Sequence, residues 1–383
     1  MIHLSLLNNG HCSHPRFIIS HPFDNPADMK KPYTGRFVNI GSGWGREENL
    51  IWTIEMESSR RNGSGGNSSP GSSPQQTQQS KLPLVMLHGF GCGASIWCLN
   101  MESLSHDRKI YAFDVLGFAR SSRPYFSRSE KMAEFEIVES IERWRRAIGL
   151  NEKFILMGHS FGGYLSLAYA LQFPDRVAHV VLADPWGIPS HQTASASSSA
   201  QIVLPAWVKL VARLIFKTLN PLAVLRAAGP FGPGLVHKLR PDIRKKFESL
   251  TGEQEASIVL DYVYHCNAQS NPAGEIAFKT LSLPTGWAKN PMIQRIDKLD
   301  EGIDLSFIYG ERSWIDRQPG IQIKQLCSER SVEVHVIHGA GHHVYADKLE
   351  DFNRLVNKSC RDADERHRIR LAQEMETNLD GQD

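Results

Sequence analysis

Short apolar runs separated by polar, turn-forming stretches recur along the chain from residue 82. They are LPLVMLH (82–88), KIYAFDV (109–115), KFILMG (153–158), VAHVVLAD (177–184), IDLSFIYG (303–310) and VEVHVIHG (332–339). Between some of them lie stretches with helical character, such as EFEIVESIERWRRAIG and GGYLSLAYALQF. Runs of this kind are expected to be buried strands of a mostly parallel central sheet with helices on both faces, an α/β architecture. Ligands in such folds bind where the carboxyl ends of the strands open into loops, so the residues that close each run are the ones to inspect. Upstream, RFVNI (36–40) and NLIWTIEME (49–57) flank the turn-rich GSGWGREE and predict a β-hairpin. The glycines of that turn lack the GxGxxG spacing of a dinucleotide fingerprint and lead into a strand pattern, not a helix.

The pattern also divides the chain. Residues 1–35 read as an N-terminal extension and 36–187 as the first part of a core, interrupted at 58–80 by a low-complexity Ser, Gly, Pro and Gln insertion. From 188 to 298 the strand periodicity stops, and helical and irregular patterns broken by GPFGPG predict an α-helical insertion that covers the strand ends as a lid. The core resumes over 299–358, and 359–383 reads as a polar tail, a frayed helix or disordered.

Composition narrows the function classes. With 41% hydrophobic and 22% charged residues among 383, the chain can bury a large core, and its formal charge of +2 provides no overall field for a polyanion, so nucleic acid is not an expected partner. No stretch approaches the ~18 consecutive apolar residues of a spanning helix. Six cysteines lie scattered without CxxC spacing, which predicts neither a disulfide framework nor a zinc ribbon and fits a reducing, intracellular compartment. The first twenty residues lack the charged start and sustained apolar core of a secretory signal; the absence of acidic residues before Asp24 hints at a mitochondrial presequence, although one arginine is few for such a segment. His11, Cys12, His14 and His21 carry metal-ligating groups on no evident rigid element, so no metal site is assigned.

The chemistry concentrates in LMGHSFGG (156–163), which follows a strand and opens a helix. G-x-S-x-G in that context is a nucleophile elbow: Gly158 and Gly162 permit close backbone approach, and the strained turn lifts the Ser160 hydroxyl above the sheet. Serine is a weak nucleophile at its own pKa and needs a base oriented by an acid. His342, after the Gly-Ala-Gly turn of HGAGHHVYAD, is the expected base; His343 is the rival, and His335 and His338 read as structural. For the acid, the loop after IDLSFIYG offers Asp316, the first choice, and Glu311, the second; Asp184 ranks third, with capping of the turn before Pro185 as its expected role. The strand end LHGFGCG (87–93) positions His88 and Gly89 to shape a tight loop, so that the backbone N–H groups of Phe90 and Phe161 would form an oxyanion hole. This chemistry requires no cofactor and no metal.

The strand pattern, GHSFGG, HGFG and the late histidine together resemble the α/β-hydrolase fold over about residues 36–358. More narrowly, YAFDVLGFARSSRP, ESIERWRRAIGL, DPWGIP, LNPLAVLRAAGPFG, YHCNAQ, GWAKNPMIQRI and HHVYAD are similar to the subfamily that contains the lysophospholipase acting on N-acyl phosphatidylethanolamines and the co-activator of adipose triglyceride lipase. The resemblance implies phospholipid or lysophospholipid substrates, association with a peripheral membrane or lipid-droplet surface, and partnership with a triglyceride lipase as one alternative. The co-activator branch has Asn at the nucleophile position, whereas this chain has Ser160, which favours an active lipase. No Trp precedes Trp44, where the co-activator has a Trp-rich N-terminal anchor, so droplet anchoring by that same device is not expected. The subfamily's H-x-x-x-x-D motif, linked to acyl transfer to lysophosphatidic acid, is matched by His342 and Asp347; capping of the following helix is the plainer role for Asp347.

Within the insertion, KLRPDIRKK (238–246) and Arg213, Lys217 and Arg226 bring basic charge beside Trp207, Leu210, Leu214, Ile215 and Phe216. That combination suits an interfacial helix on anionic lipid, and equally a lid helix with an apolar inner and a basic outer face. The resulting expectation is a serine ester hydrolase of phospholipid acyl chains, with acyl transfer to lysophosphatidic acid and a scaffold role on lipid droplets as the alternatives.

Overall fold

The computed structural model describes residues 33–59, 81–191, 220, 222–239, 241–251 and 253–380. The strands are β1 Thr34–Asn39, β2 Leu50–Met56, β3 Leu84–Leu87, β4 Ile110–Phe113, β5 Phe154–His159, β6 Val177–Ala183, β7 Asp304–Gly310 and β8 Val332–Ile337. They form one eight-stranded sheet in the order β1-β2-β4-β3-β5-β6-β7-β8. The hairpin β1–β2 is antiparallel and joins β4 antiparallel, and every pairing from β4 to β8 is parallel. β3, β4, β5, β6 and β7 are buried along their whole length, as continuous apolar runs in a sheet covered on both faces must be. The outer strands are wetter: β2 alternates buried with half-exposed positions, β8 is half-exposed through its middle, and β1 is exposed except at Val38.

The helices are α1 Cys98–Leu104, α2 Glu130–Ala147, α3 Phe161–Gln172, α4 Ala223–Ala227, α5 Gly232–Leu239, α6 Pro241–Thr251, α7 Glu253–Asn267, α8 Ala273–Leu281, α9 Gln318–Leu326, α10 Val344–Asp347 and α11 Leu349–Asp380. One apolar cluster joins α2 and α3 to one face of the sheet, through Trp144, Tyr164 and Tyr169. A second, including Trp97, Met101, Phe352 and Val356, joins α1 and α11 to the other. Both faces are therefore sealed, and the open end of the sheet is left for chemistry.

The polar tail departs from the sequence expectation. α11 continues unbroken to Asp380 and keeps Ser359, Cys360 and Ala363 buried. Some of its charges pair with the core: Arg366 and Arg370 lie 2.9 and 3.2 Å from the buried carboxylate of Asp304, and Asp364 receives Arg108 at 2.8 Å. A segment whose charges have fixed partners reads as solvated in composition and yet packs.

α4 to α8 all fall between β6 and β7, where the strand periodicity stops. Several of their basic groups are engaged within the chain. Arg226 pairs with Glu275 at 2.5 Å, Arg244 with Glu248 at 3.6 Å and Lys246 with Asp347 at 2.8 Å. The local positive charge available to a lipid surface is accordingly smaller than the sequence run implies. Trp207, Leu210, Arg213, Leu214, Ile215, Phe216 and Lys217 lie outside the described residues, as do His11, Cys12, His14 and His21. Among the described residues no helix is long and apolar enough to cross a membrane.

Candidate active site

β5 ends in His159, and the chain turns sharply at Ser160, whose φ of 52° and ψ of −115° place it in a region that non-glycine residues rarely occupy. The turn is possible because its glycines are in near contact with other backbone. A Cβ on Gly158 would lie 2.2 Å from the Gly162 carbonyl group, and one on Gly162 would lie 2.6 Å from the carbonyl oxygens of Leu87 and His88. The Ser160 carbonyl accepts from the N–H groups of Gly163 at 3.0 Å and Trp186 at 3.1 Å, and its own N–H donates to Ala183 O at 3.0 Å, so the strained residue is held from both sides.

Ser160 Oγ lies 3.1 Å from His342 Nε2, and His342 Nδ1 lies 2.6 Å from Asp184 Oδ2. The carboxylate of Asp184 also accepts from Gly310 N–H at 3.1 Å and from the Ser313 hydroxyl, and it is fully buried. Burial pushes its pKa up, to about 7, against the hydrogen bonds from Ser313 and Gly310, which favour the charged form.

The first-choice acid of the sequence reading is thus corrected. Asp316 turns away and accepts the N–H of Gln318 at 2.9 Å, capping the start of α9. Glu311, the second choice, is bonded to His338 and to Gly339 N–H. Asp184 holds the place because β6 is the strand next to β5, so its carboxyl end emerges beside the elbow, whereas Asp316 lies six positions beyond the end of β7. Its expected capping role before Pro185 is replaced by the bond to His342.

The other candidates fall around this core. His88 is buried, donates from Nδ1 to Gly89 O at 2.8 Å and accepts Val115 N–H at Nε2 at 3.0 Å; burial lowers its pKa to about 4, so it is a neutral brace for the loop. A Cβ on Gly89 would lie 2.7 Å from His159 Nδ1. Phe161 opens α3, where the first N–H groups have no intrahelical acceptor. The ring of Phe90 stacks on Phe278 of α8 at 4.2 Å, and Phe278 also meets Phe161 at 5.0 Å and Trp186 at 4.9 Å. Asn267, at the end of α7, donates to Gly91 O at 2.6 Å. The inserted helices therefore form part of the wall beside Ser160. His343 stands beside His342 with its ring 5.5 Å away and does not reach Ser160's partner atoms in the relay. His335 bonds to Glu333 at 2.9 Å.

Some participants carry no sequence signal. His159, the variable position of the elbow motif, donates from Nε2 to His342 O at 2.9 Å, and burial holds it neutral, with a pKa lowered to about 3. Trp314 is 70% exposed and yet lies 4.9 Å from His342, ring to ring. Asp347, grouped with His342 by spacing alone, accepts Gly341 N–H at 2.7 Å; it does not cap α11.

A buried carboxylate, an imidazole bonded through both nitrogens and a hydroxyl on a strained strand-to-helix turn, brought together from the carboxyl ends of the parallel strands β6, β8 and β5, is the arrangement of a serine-hydrolase fold. Residues 83–349 match the family model described as alpha/beta hydrolase fold, and the chain belongs to that family. Within it, the chain is 42% identical over 336 residues to the (lyso)-N-acylphosphatidylethanolamine lipase of Homo sapiens, covering 88% of this chain and 89% of that one. It is 46% identical over 323 residues to the 1-acylglycerol-3-phosphate O-acyltransferase ABHD5 of Homo sapiens, covering 84% and 83%. Among solved structures, a thermophilic esterase from Thermogutta terrifontis superposes with a TM-score of 0.56 at 16% identity, over 86% of this chain and 99% of that one, a likeness of fold.

Proposed function

We propose that the protein is a serine ester hydrolase of phospholipids, acting on N-acyl phosphatidylethanolamine and lysophospholipid acyl esters. The single observation that carries this reading is the unbroken run Ser160 Oγ, His342 Nε2, His342 Nδ1, Asp184 Oδ2, at 3.1 and 2.6 Å. The 42% identity to a lipase of that substrate class supports the choice of substrate. Ser160 Oγ attacks the ester carbonyl carbon while its proton passes to His342 Nε2, and the C–O π pair moves onto the carbonyl oxygen. The N–H groups of Phe90 and Phe161 receive that oxyanion. The intermediate collapses as the imidazolium returns the proton to the departing alcohol oxygen, leaving an acyl-Ser160. Water, deprotonated by the same imidazole, releases the fatty acid. Asp184 remains the anion that orients His342 and stabilises its charged form. The aromatic wall of Phe90, Phe161, Trp186 and Phe278 is suited to an acyl chain.

A second reading shares the acyl-Ser160 intermediate: transfer to the free hydroxyl of a lysophosphatidic acid in place of water, supported by the relationship to the acyltransferase. Under either reading the active form works at a peripheral membrane or lipid-droplet surface. The test is fatty-acid release from vesicles containing N-acyl phosphatidylethanolamine or its lyso form. Ser160→Ala is expected to lower turnover by about 10⁶-fold, the cost of removing a triad serine. Undiminished release by the purified variant overturns the reading, and labelled phosphatidic acid from acyl-CoA and lysophosphatidic acid selects the second.

A further inference from the structure

The loop that carries His342 is intrinsically loose, because Gly339-Ala340-Gly341 precedes the imidazole and Gly339 adopts a φ of 73°. Its restraints come from several directions. Core groups supply three of them: Glu311 accepts Gly339 N–H at 2.9 Å, Arg312 N–H donates to Ala340 O at 2.8 Å, and His159 holds His342 O. A further restraint links the loop to the inserted helices. Asp347 accepts Gly341 N–H through Oδ2 at 2.7 Å, one residue before His342, and its Oδ1 lies 2.8 Å from Lys246 Nζ on α6. Lys246 Nζ also lies 3.4 Å from His343 Nδ1, one residue after His342. One ammonium group on the inserted helices thus bears on both neighbours of His342. Asp347 and Lys246 are only 10% and 20% exposed at the side chain, so the pair is less screened than one on the open surface, and loss of one partner leaves a poorly solvated charge.

We propose that Lys246 and Asp347 are positioning residues that tie the inserted helices to the His342 loop, so that the placement of α6 sets the placement of the imidazole against Ser160. The tie assigns the aspartate of the H-x-x-x-x-D spacing a task within hydrolysis. It rests on the hydrolase reading of the site. A carboxylate that holds a glycine N–H fixes the direction of the turn, and sub-ångström errors in the direction of a base are costly in rate: a misplacement of about 1 Å loses on the order of 10²-fold. Since the bond is to the loop and not to substrate, the loss belongs in kcat.

The experiment compares wild type, Ser160→Ala, Asp347→Ala, Asp347→Asn, Lys246→Met and the Asp347→Ala/Lys246→Met double variant on a soluble p-nitrophenyl ester, with hydrogen exchange of the peptide spanning Gly339–Asp347 measured in parallel. Asp347→Ala is expected to lower kcat by about 10- to 100-fold with KM little changed. Asp347→Asn, whose amide oxygen still accepts Gly341 N–H, is expected to recover most of that loss. Lys246→Met, which keeps the aliphatic stem, is expected to lower kcat several-fold, speed exchange at Gly341 and add little on top of Asp347→Ala, the non-additivity of groups that act as a unit. Wild-type kcat and exchange in Asp347→Ala, or losses that simply multiply in the double variant, overturn the tie. If wild type shows no activity that Ser160→Ala removes, the hydrolase reading fails. The exchange data then decide the tie by themselves: faster exchange in Lys246→Met supports it, and unchanged exchange overturns it.

Discussion

The backbone enters the left-handed region at the end of β5 and again at the end of β6, at Ser160 with φ 52° and at Asp184 with φ 46°. The two turns lie side by side: Ser160 N–H donates to Ala183 O, Trp186 N–H donates to Ser160 O, and a Cβ on Gly163 would meet Pro185 at 2.9 Å. They are stabilised by different means. The first turn depends on what is missing, the side chains at Gly158 and Gly162 that would strike backbone at 2.2 and 2.6 Å. The second depends on what is present, a carboxylate that accepts from Gly310, Ser313 and His342 and so holds its own residue in a strained conformation. A reactive group that must protrude is built on close backbone contact, and a charged group that must stay buried is built on donors from neighbouring strands.

Removing the two acids that competed in sequence tests this distinction most severely. Asp184→Asn is expected to cost about 10⁴-fold in kcat, since an amide presents the wrong partner to His342 Nδ1 and leaves the developing imidazolium uncompensated. Asp316→Asn is expected to leave kcat within the scatter of wild type, because that side chain serves only the Gln318 N–H and an amide oxygen accepts it equally. Steady-state hydrolysis of a soluble ester checks both variants. A large loss in Asp316→Asn together with an active Asp184→Asn would transfer the orienting role to the other loop.

The next largest effect is on stability. Gly158→Ala introduces a Cβ against the Gly162 backbone, where no flexible side chain can yield, and is expected to cost about 3 kcal/mol by forced displacement of packed groups. Denaturant unfolding measures it. The matching change in the second turn, Asp184→Asn, introduces no clash but turns one acceptor oxygen into a donor, and is expected to lower the unfolding midpoint by less than Gly158→Ala does. A stable Gly158→Ala protein would show that the elbow has more room than its close contacts imply.

These differences also explain which parts of the site were legible in sequence. A close backbone approach is written in the glycines, so G-x-S-x-G disclosed Ser160, and the Gly-Ala-Gly turn disclosed His342. The apolar runs mark β3 to β7, which are buried on both faces, and the half-exposed edge strand β8, within a residue or two. Sequence alone places Asp316 ahead of Asp184 because the neighbour of a strand in the sheet is a property of topology. Asp316 and Asp184 both follow apolar runs, and only the order β5-β6-β7 brings one of them beside Ser160. His159, Ser313 and Lys246 are invisible for the same reason, since each acts through a partner more than 90 positions away in the chain. The tail misled in the opposite sense: its charges are as polar as those of a solvated segment, and only the buried Asp304 and the Arg108 ion pair make them structural.

The smallest expected effect is the most specific to the second turn. Burial raises the Asp184 carboxyl to about 7, and hydrolysis requires its ionised form with His342 neutral. The acidic limb of kcat/KM is therefore expected to fall as pH drops through neutrality, with the apparent value belonging to the Asp184–His342 pair as a unit. The Ser313 hydroxyl donates to the carboxylate and so favours the charged form. Removing it in Ser313→Ala leaves desolvation less opposed, which raises the pKa, so the limb must move to higher pH. A hydrogen bond to a charged group contributes roughly 1.5–3 kcal/mol, and one pKa unit is about 1.4 kcal/mol, so the shift is expected to be about one to two pH units. Well above the limb, kcat/KM is expected to return near the wild-type plateau, because Gly310 and His342 still orient the carboxylate. A limb that stays in place, or moves to lower pH, would mean that the Ser313 bond does not stabilise the anion, and the second turn would then rest on the Gly310 and His342 bonds to the carboxylate.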